Sequence, residues 1–145
     1  MLPHVQGRPL SLLRCPDGVT ETCFFQKQAP KGVDSSVEVV AHPAKSGSRP
    51  AMVIHDLVGL LSLIQFGALE FHVSGARVDR IERLDRMVFD LDPDEQMDFS
   101  MTIRAAVEFR DWLLSAGLES FVKTTGGKGL HVVVPIRRRH TWEEV

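Results

Sequence analysis

Apolar and polar positions alternate in short runs through the first half of the chain, and that period-two pattern predicts strands. Gly18 to Gln26 reads as one strand, and Val37 to Val40 and Ala51 to Ile54 as two more, with Lys45-Ser46-Gly47-Ser48 as the turn between the latter pair. The period then lengthens. Asp56 can cap a helix whose Leu57, Leu60, Leu61 and Ile64 follow helical spacing, with Gly67 available as its stop. Strands over Glu70 to Val73 and Arg86 to Leu91 follow. A second helix is predicted after a Ser100 cap, with Ile103, Ala106, Val107, Phe109, Leu113 and Leu114 as a wide apolar side and Gly117 at its end. Two last apolar runs, Ser120 to Val122 and Leu130 to Pro135, flank a glycine-rich turn. Strands, helix, strands, helix, strands is the order of an α+β domain with a mostly antiparallel or mixed sheet and flanking helices.

Chemistry enters where the strand from Arg86 ends in Asp90-Leu91-Asp92-Pro93. Side chains two apart on a strand leave the same face, so Asp90 and Asp92 point together while Phe89 and Leu91 turn to the opposite layer. Two aligned carboxylates suit magnesium, which prefers one or two protein carboxylates plus substrate phosphates to an all-protein cage. The alternative is a solvated acidic strand end, since Asp85, Asp94, Glu95 and Asp98 crowd the same stretch.

The second constellation is Lys123-Thr124-Thr125-Gly126-Gly127-Lys128-Gly129-Leu130-His131. Glycines there remove the side chains that would hold a phosphate away from backbone N–H groups, and Thr125, Lys128 and His131 offer hydrogen bonds or charge. It is not a Walker A loop, because the required spacing is absent and no helix follows. A plain glycine hairpin with a surface lysine is the competing reading.

Composition narrows the class. With 145 residues, 43% hydrophobic and 25% charged, the chain suits one soluble domain. Its longest apolar stretch, Leu57 to Leu69, is interrupted by Gly59, Ser62, Gln65 and Gly67 and falls short of a membrane span, and the N-terminus has no secretory pattern. Cytoplasm is the expected compartment, where Cys15 and Cys23 would remain thiols. The formal charge of −2 hides a segregation. Acids concentrate between Asp79 and Asp98, with Arg8, Arg14, Lys27 and Lys31 before them and Lys123, Lys128, Arg137, Arg138 and Arg139 after them. Basic flanks around an acidic centre fit a metal site served by phosphate-binding walls.

Four segments, Arg8 to Gly18, Phe24-Phe25-Gln26-Lys27, Val88 to Pro93 and Phe121 to Val132, occur in order at appropriate spacing. Together they resemble the polymerase domain of bacterial DNA ligase D, a member of the archaeo-eukaryotic primase superfamily that serves non-homologous end joining. The resemblance implies a primase-polymerase fold and a template-dependent nucleotidyltransferase that adds nucleotides, preferentially ribonucleotides, to DNA 3′ ends at breaks. It implies that Asp90 and Asp92 bind two manganese or magnesium ions, and that Thr125, Gly126, Gly127, Lys128 and His131 hold the nucleoside triphosphate. His131 would act with the aspartates as a catalytic residue, and Lys27 with Arg14 would grip the 5′ phosphate of a break or gap. Partners implied are 5′-phosphorylated DNA, Ku, and ligase and phosphoesterase domains, in a nucleoid-associated bacterial or archaeal setting.

Departures from the family pattern also shape the expectation. Thr125 stands where serine is usual, Gln28 where histidine usually follows the lysine, and His72-Val73-Ser74-Gly75 where His-Pro-Trp-Gly is usual. Family domains are also longer, with a third metal-binding aspartate after the stretch matched by Val145 and a further basic residue before Met1. Residues 1–145 are therefore expected to form a partial primase-polymerase domain that binds nucleotide and manganese but polymerises poorly. Two other readings are a non-catalytic module for nucleotide or DNA 5′ phosphate, and a phosphate-ester hydrolase using the same aspartates.

Overall fold

Every strand pairing among the described residues is antiparallel, so each hairpin is set by cross-strand packing of its inward side chains. The computed structural model describes residues 1–44 and 47–144. It shows an α+β chain that divides into two compact units, one comprising Met1–Arg83 with the residues from Thr141, the other Leu84–His140.

The first unit begins with a short helix α1 (Leu2–Val5) and is organised around β1 (Leu10–Arg14). One edge of β1 pairs with β5 (Ala68–Val73) and the other with β2 (Phe24–Gln26). At Leu10 it also meets β4 (Gly47–Ile54), which pairs along its length with β3 (Val37–Ala44). Leu10 and Leu12 of β1 turn inward with Met52, Ile54 and Val37 to form the core, on which α2 (Leu57–Gln65) packs through Leu60 and Leu63.

Several expectations hold here. Asp56 caps α2, its Oδ1 accepting from the Gly59 amide at 2.9 Å. Gly67, at φ +80°, ends it. A Cβ at Gly67 would stand 2.9 Å from the Pro16 Cα, so both the conformation and the space demand glycine. The buried face of α2 differs from the predicted one. Gly59, Leu60 and Leu63 are inside, whereas Leu57, Leu61 and Ile64 are about half exposed. Gly59 explains the phase, because a Cβ there would lie 3.0 Å from both Ile54 Cγ2 and the Ser36 carbonyl. The helix comes closest to its neighbours where it has no side chain.

The strand expected from Gly18 shrinks to Phe24–Gln26. Successive turns replace the rest, with the Gly18 amide on the Cys15 carbonyl and the Glu21 amide on the Gly18 carbonyl. Those turns bring Cys15 and Cys23 to a Cα separation of 4.3 Å, and the two form a disulfide, correcting the expectation of free thiols. Of the predicted 45–48 turn, residues 45 and 46 lie outside the described residues, and Gly47 and Ser48 belong to β4.

The second unit is a three-stranded sheet in the order β6 (Arg86–Leu91), β8 (Leu130–Pro135), β7 (Phe121–Thr124), with α3 (Phe99–Ser115) on one face. Leu130, Val132 and Val134 point toward Ala106, Phe109 and Leu113, joined by Phe89 and Leu91. The Phe89 and Phe109 rings meet edge to face, 4.9 Å apart. The cap of α3 is Asp98 rather than Ser100, and its Oδ1 accepts from the Ser100 amide at 2.8 Å. Ile103, Val107 and Leu114 remain substantially exposed, because three strands cover only the strip through Thr102, Ala106 and Leu113.

Loss of the α2 cap in Asp56→Ala is expected to lower stability by roughly 1 kcal/mol, measured by urea denaturation. The Ser100 hydroxyl and then its backbone N–H hold the Asp98 carboxyl below its ordinary range. A carboxyl lowered on folding stabilises above its unfolded value and loses that contribution as pH falls through the folded one. Asp98→Asn, a cap without a titrating group, is expected to flatten that acid-side component of the urea midpoint.

Candidate active site

Alternation in the second unit separates packing from chemistry. With Phe89 and Leu91 inward, Val88 and Asp90 face the other side of the sheet, and the same holds for His131 and Val133 beside the inward Leu130, Val132 and Val134. The register sets Asp90 opposite His131 and His131 opposite Lys123, so an acid, an imidazole and an ammonium form one row across three strands. The next row is apolar: Val88, Val133 and Phe121.

Within the charged row, His131 Nε2 lies 3.4 Å from Asp90 Oδ1. Asp90 is 64% exposed and His131 24%, so the imidazole is held by its surroundings while the carboxylate is open to ligands. Asp92 is exposed one residue past the end of β6, and no Lys or Arg neutralises either carboxylate among the described residues. No group of three or more His, Cys, Asp or Glu among those residues could hold a metal ion. Two open carboxylates nevertheless suit a hard cation that completes its shell with phosphate and water oxygens.

The glycine loop closes the same end of the sheet. Thr125 Oγ1 donates to the Gly129 carbonyl at 3.0 Å and accepts from the Gly127 amide at 3.5 Å, fixing the turn. Gly126, at φ +93°, and Gly127 have open space where a Cβ would stand. Lys128 Nζ donates to the Glu95 carbonyl at 2.9 Å, tying the loop to the segment after Asp92. Gly129 is the tight point. A Cβ there would lie 3.2 Å from the Leu91 carbonyl and 3.8 Å from Asp92 Oδ1. Asp90, Asp92, Thr125, Gly126, Gly127, Lys128 and His131 thus all belong to this one unit.

Lys27 and Arg14 lie in the first unit and differ in their surroundings. Arg14 is engaged: Nε donates to the Phe66 carbonyl at 2.7 Å, Nη1 donates to Gln26 Oε1, and the guanidinium lies near the Phe24 and Phe66 rings. Lys27 is exposed and lines a cleft of about 350 Å³ with Ser11, His42, Arg49, His72 and Trp142, in which no lining residue is acidic. His72 Nε2 is 2.8 Å from Glu70 Oε2, and its ring meets Phe25 edge-on. Ser74, where the family pattern has tryptophan, lies 3.3 Å from the His42 ring. Reading the sequence missed Arg49, His42 and Trp142, which sit far apart along the chain and carry no shared motif.

The family model described as "LigD, primase-polymerase domain" matches residues 1–145. The chain is 37% identical over 145 residues to the multifunctional non-homologous end joining protein LigD of Pseudomonas aeruginosa, covering 100% of this chain and 17% of that protein. It is 34% identical to the bifunctional non-homologous end joining protein LigD of Bacillus subtilis, over 99% of this chain and 23% of that protein. A solved structure, the polymerase domain of Mycobacterium tuberculosis ligase D in complex with DNA, superposes with a TM-score of 0.81 at 34% identity, over 94% of this chain and 50% of that one. The chain therefore spans a minor part of these curated relatives and half of the solved domain, and it belongs to the LigD primase-polymerase domain family.

Proposed function

We propose that this chain carries the metal- and nucleotide-binding part of a primase-polymerase that extends DNA 3′ ends during non-homologous end joining. The observation that carries the reading is the pairing of Asp90 with His131 across two strands, beside a glycine loop with open backbone. Asp90 and Asp92 would hold manganese or magnesium, which when bound supplies Lewis-acid chemistry at the attacking hydroxyl and the phosphates. Gly126, Gly127 and Lys128 receive the triphosphate, with Lys128 exchanging its Glu95 carbonyl for a phosphate oxygen. Thr125 acts by holding the loop in shape. His131 donates to the phosphate chain and offsets charge on the departing group. In the transfer, the 3′ oxygen bonds to the α-phosphorus, the α–β anhydride bond breaks, pyrophosphate leaves, and the hydroxyl proton passes to water.

In the same reading the cleft beside Lys27 receives the 5′ phosphate of the downstream strand. Its cationic lining supports this, because backbone phosphate contacts give sequence-independent affinity, as repair of arbitrary breaks requires. Arg14 contributes by fixing β2, which precedes Lys27, through Gln26 and the Phe66 carbonyl. Ku and ligase or phosphoesterase domains belong to the proposed setting of the whole protein.

Asp90→Ala is expected to abolish Mn²⁺-dependent binding of a nucleoside triphosphate and any templated extension on gapped duplex, with the fold intact by circular dichroism. Undiminished binding and extension in that variant would overturn the active-site reading. Titration with gapped DNA separates the second role: Lys27→Ala is expected to erase the preference for a 5′-phosphorylated over a 5′-hydroxyl gap and to reduce the salt slope by about one. Equal affinities of wild type and variant for the phosphorylated gap would remove the break-recognition role.

A further inference from the structure

We propose that Lys123 is a further nucleotide-binding residue that holds the distal phosphates of the triphosphate, an assignment that rests on the active-site reading above. The register brings it into the row Asp90, His131, Lys123, on the face away from α3. Neighbouring strands lie roughly 4.8 Å apart, so about 10 Å of sheet separates the acid at one edge from the ammonium at the other. The row is polar in the electrical sense. Carboxylates stand at the β6 edge, a hydrogen-bonding imidazole in the middle, and an ammonium at the β7 edge.

A polyphosphate laid across the strands matches that order in one direction only. Its α-phosphate belongs near Asp90 and Asp92, the residues that would hold a divalent cation, and its terminal phosphate reaches Lys123. The side chain is available for this, since Lys123 is exposed and makes no hydrogen bond or ion pair with any described residue. Lys128, by comparison, is engaged with the Glu95 carbonyl. The apolar row Val88, Val133, Phe121 bounds the charged row on one side and the glycine loop bounds it on the other, which confines an anion to the line between them. Lysine suits the terminal position because it binds phosphate as a flexible point charge rather than through a fixed fork. The consequence is directional: placing the γ end at Lys123 leaves the α-phosphorus at the β6 edge for attack, with pyrophosphate departing toward Lys123.

The test compares calorimetric affinities of the full chain for a nucleoside tri- and monophosphate in Mn²⁺. Lys123→Ala is expected to weaken triphosphate binding about tenfold and leave the monophosphate unchanged, with Lys123→Arg recovering most of the loss. Wild-type triphosphate affinity in Lys123→Ala, or an equal loss for both nucleotides, would overturn the assignment while leaving the site itself in place. Absence of Mn²⁺-dependent nucleotide binding by the wild type would overturn both.

Discussion

The register of β6 against β8 is the constraint on which the rest of the second unit depends. Setting Asp90 opposite His131 at the same time sets Phe89 opposite Val132 and Leu91 opposite Leu130, so one alignment fixes the charged row and the packed layer under α3. A slip of one residue would bury the carboxylate and expose Phe89, a double penalty that leaves the pairing little freedom. The register is thus specified by the hydrophobic layer, and the polar row inherits its geometry from it.

The first unit solves a different problem. Its β1 strand serves two edges and a partner at its end, and the side chains that hold this junction are polar as well as apolar. Arg14 is the clearest case, since it reaches the carbonyl at the end of α2 and the Gln26 side chain of β2 together. A residue expected from the family pattern to touch DNA spends its guanidinium on the scaffold that presents Lys27.

Much of this was legible in the chain. The bounds of β6 and β8, the cap at Asp56, the stop at Gly67 and the antiparallel α+β order all follow from period, cap chemistry and turn residues. What escaped was whatever depends on close approach between distant segments. The phase of α2 was set by contact of Gly59 with Ile54 and Ser36, which no helical periodicity encodes. Two turns brought Cys15 to Cys23 where an extended strand was expected. The cap of α3 fell on Asp98 because its carboxylate reaches the Ser100 amide, whereas Ser100 already lies inside the first turn. The lining of the Lys27 cleft gathers side chains from β1, β3, β4, β5 and the C-terminal segment, a set visible only once the strands are paired.

The alternation along β8 has an evolutionary consequence. Leu130, Val132 and Val134 answer to α3, while His131 and Val133 answer to whatever occupies the open face. Substitutions at the latter positions leave the packed layer intact, whereas those at the former are screened for folding. A lineage can therefore vary the open face without first surviving an unfolded intermediate, so the fold is expected to outlast any one ligand the face receives.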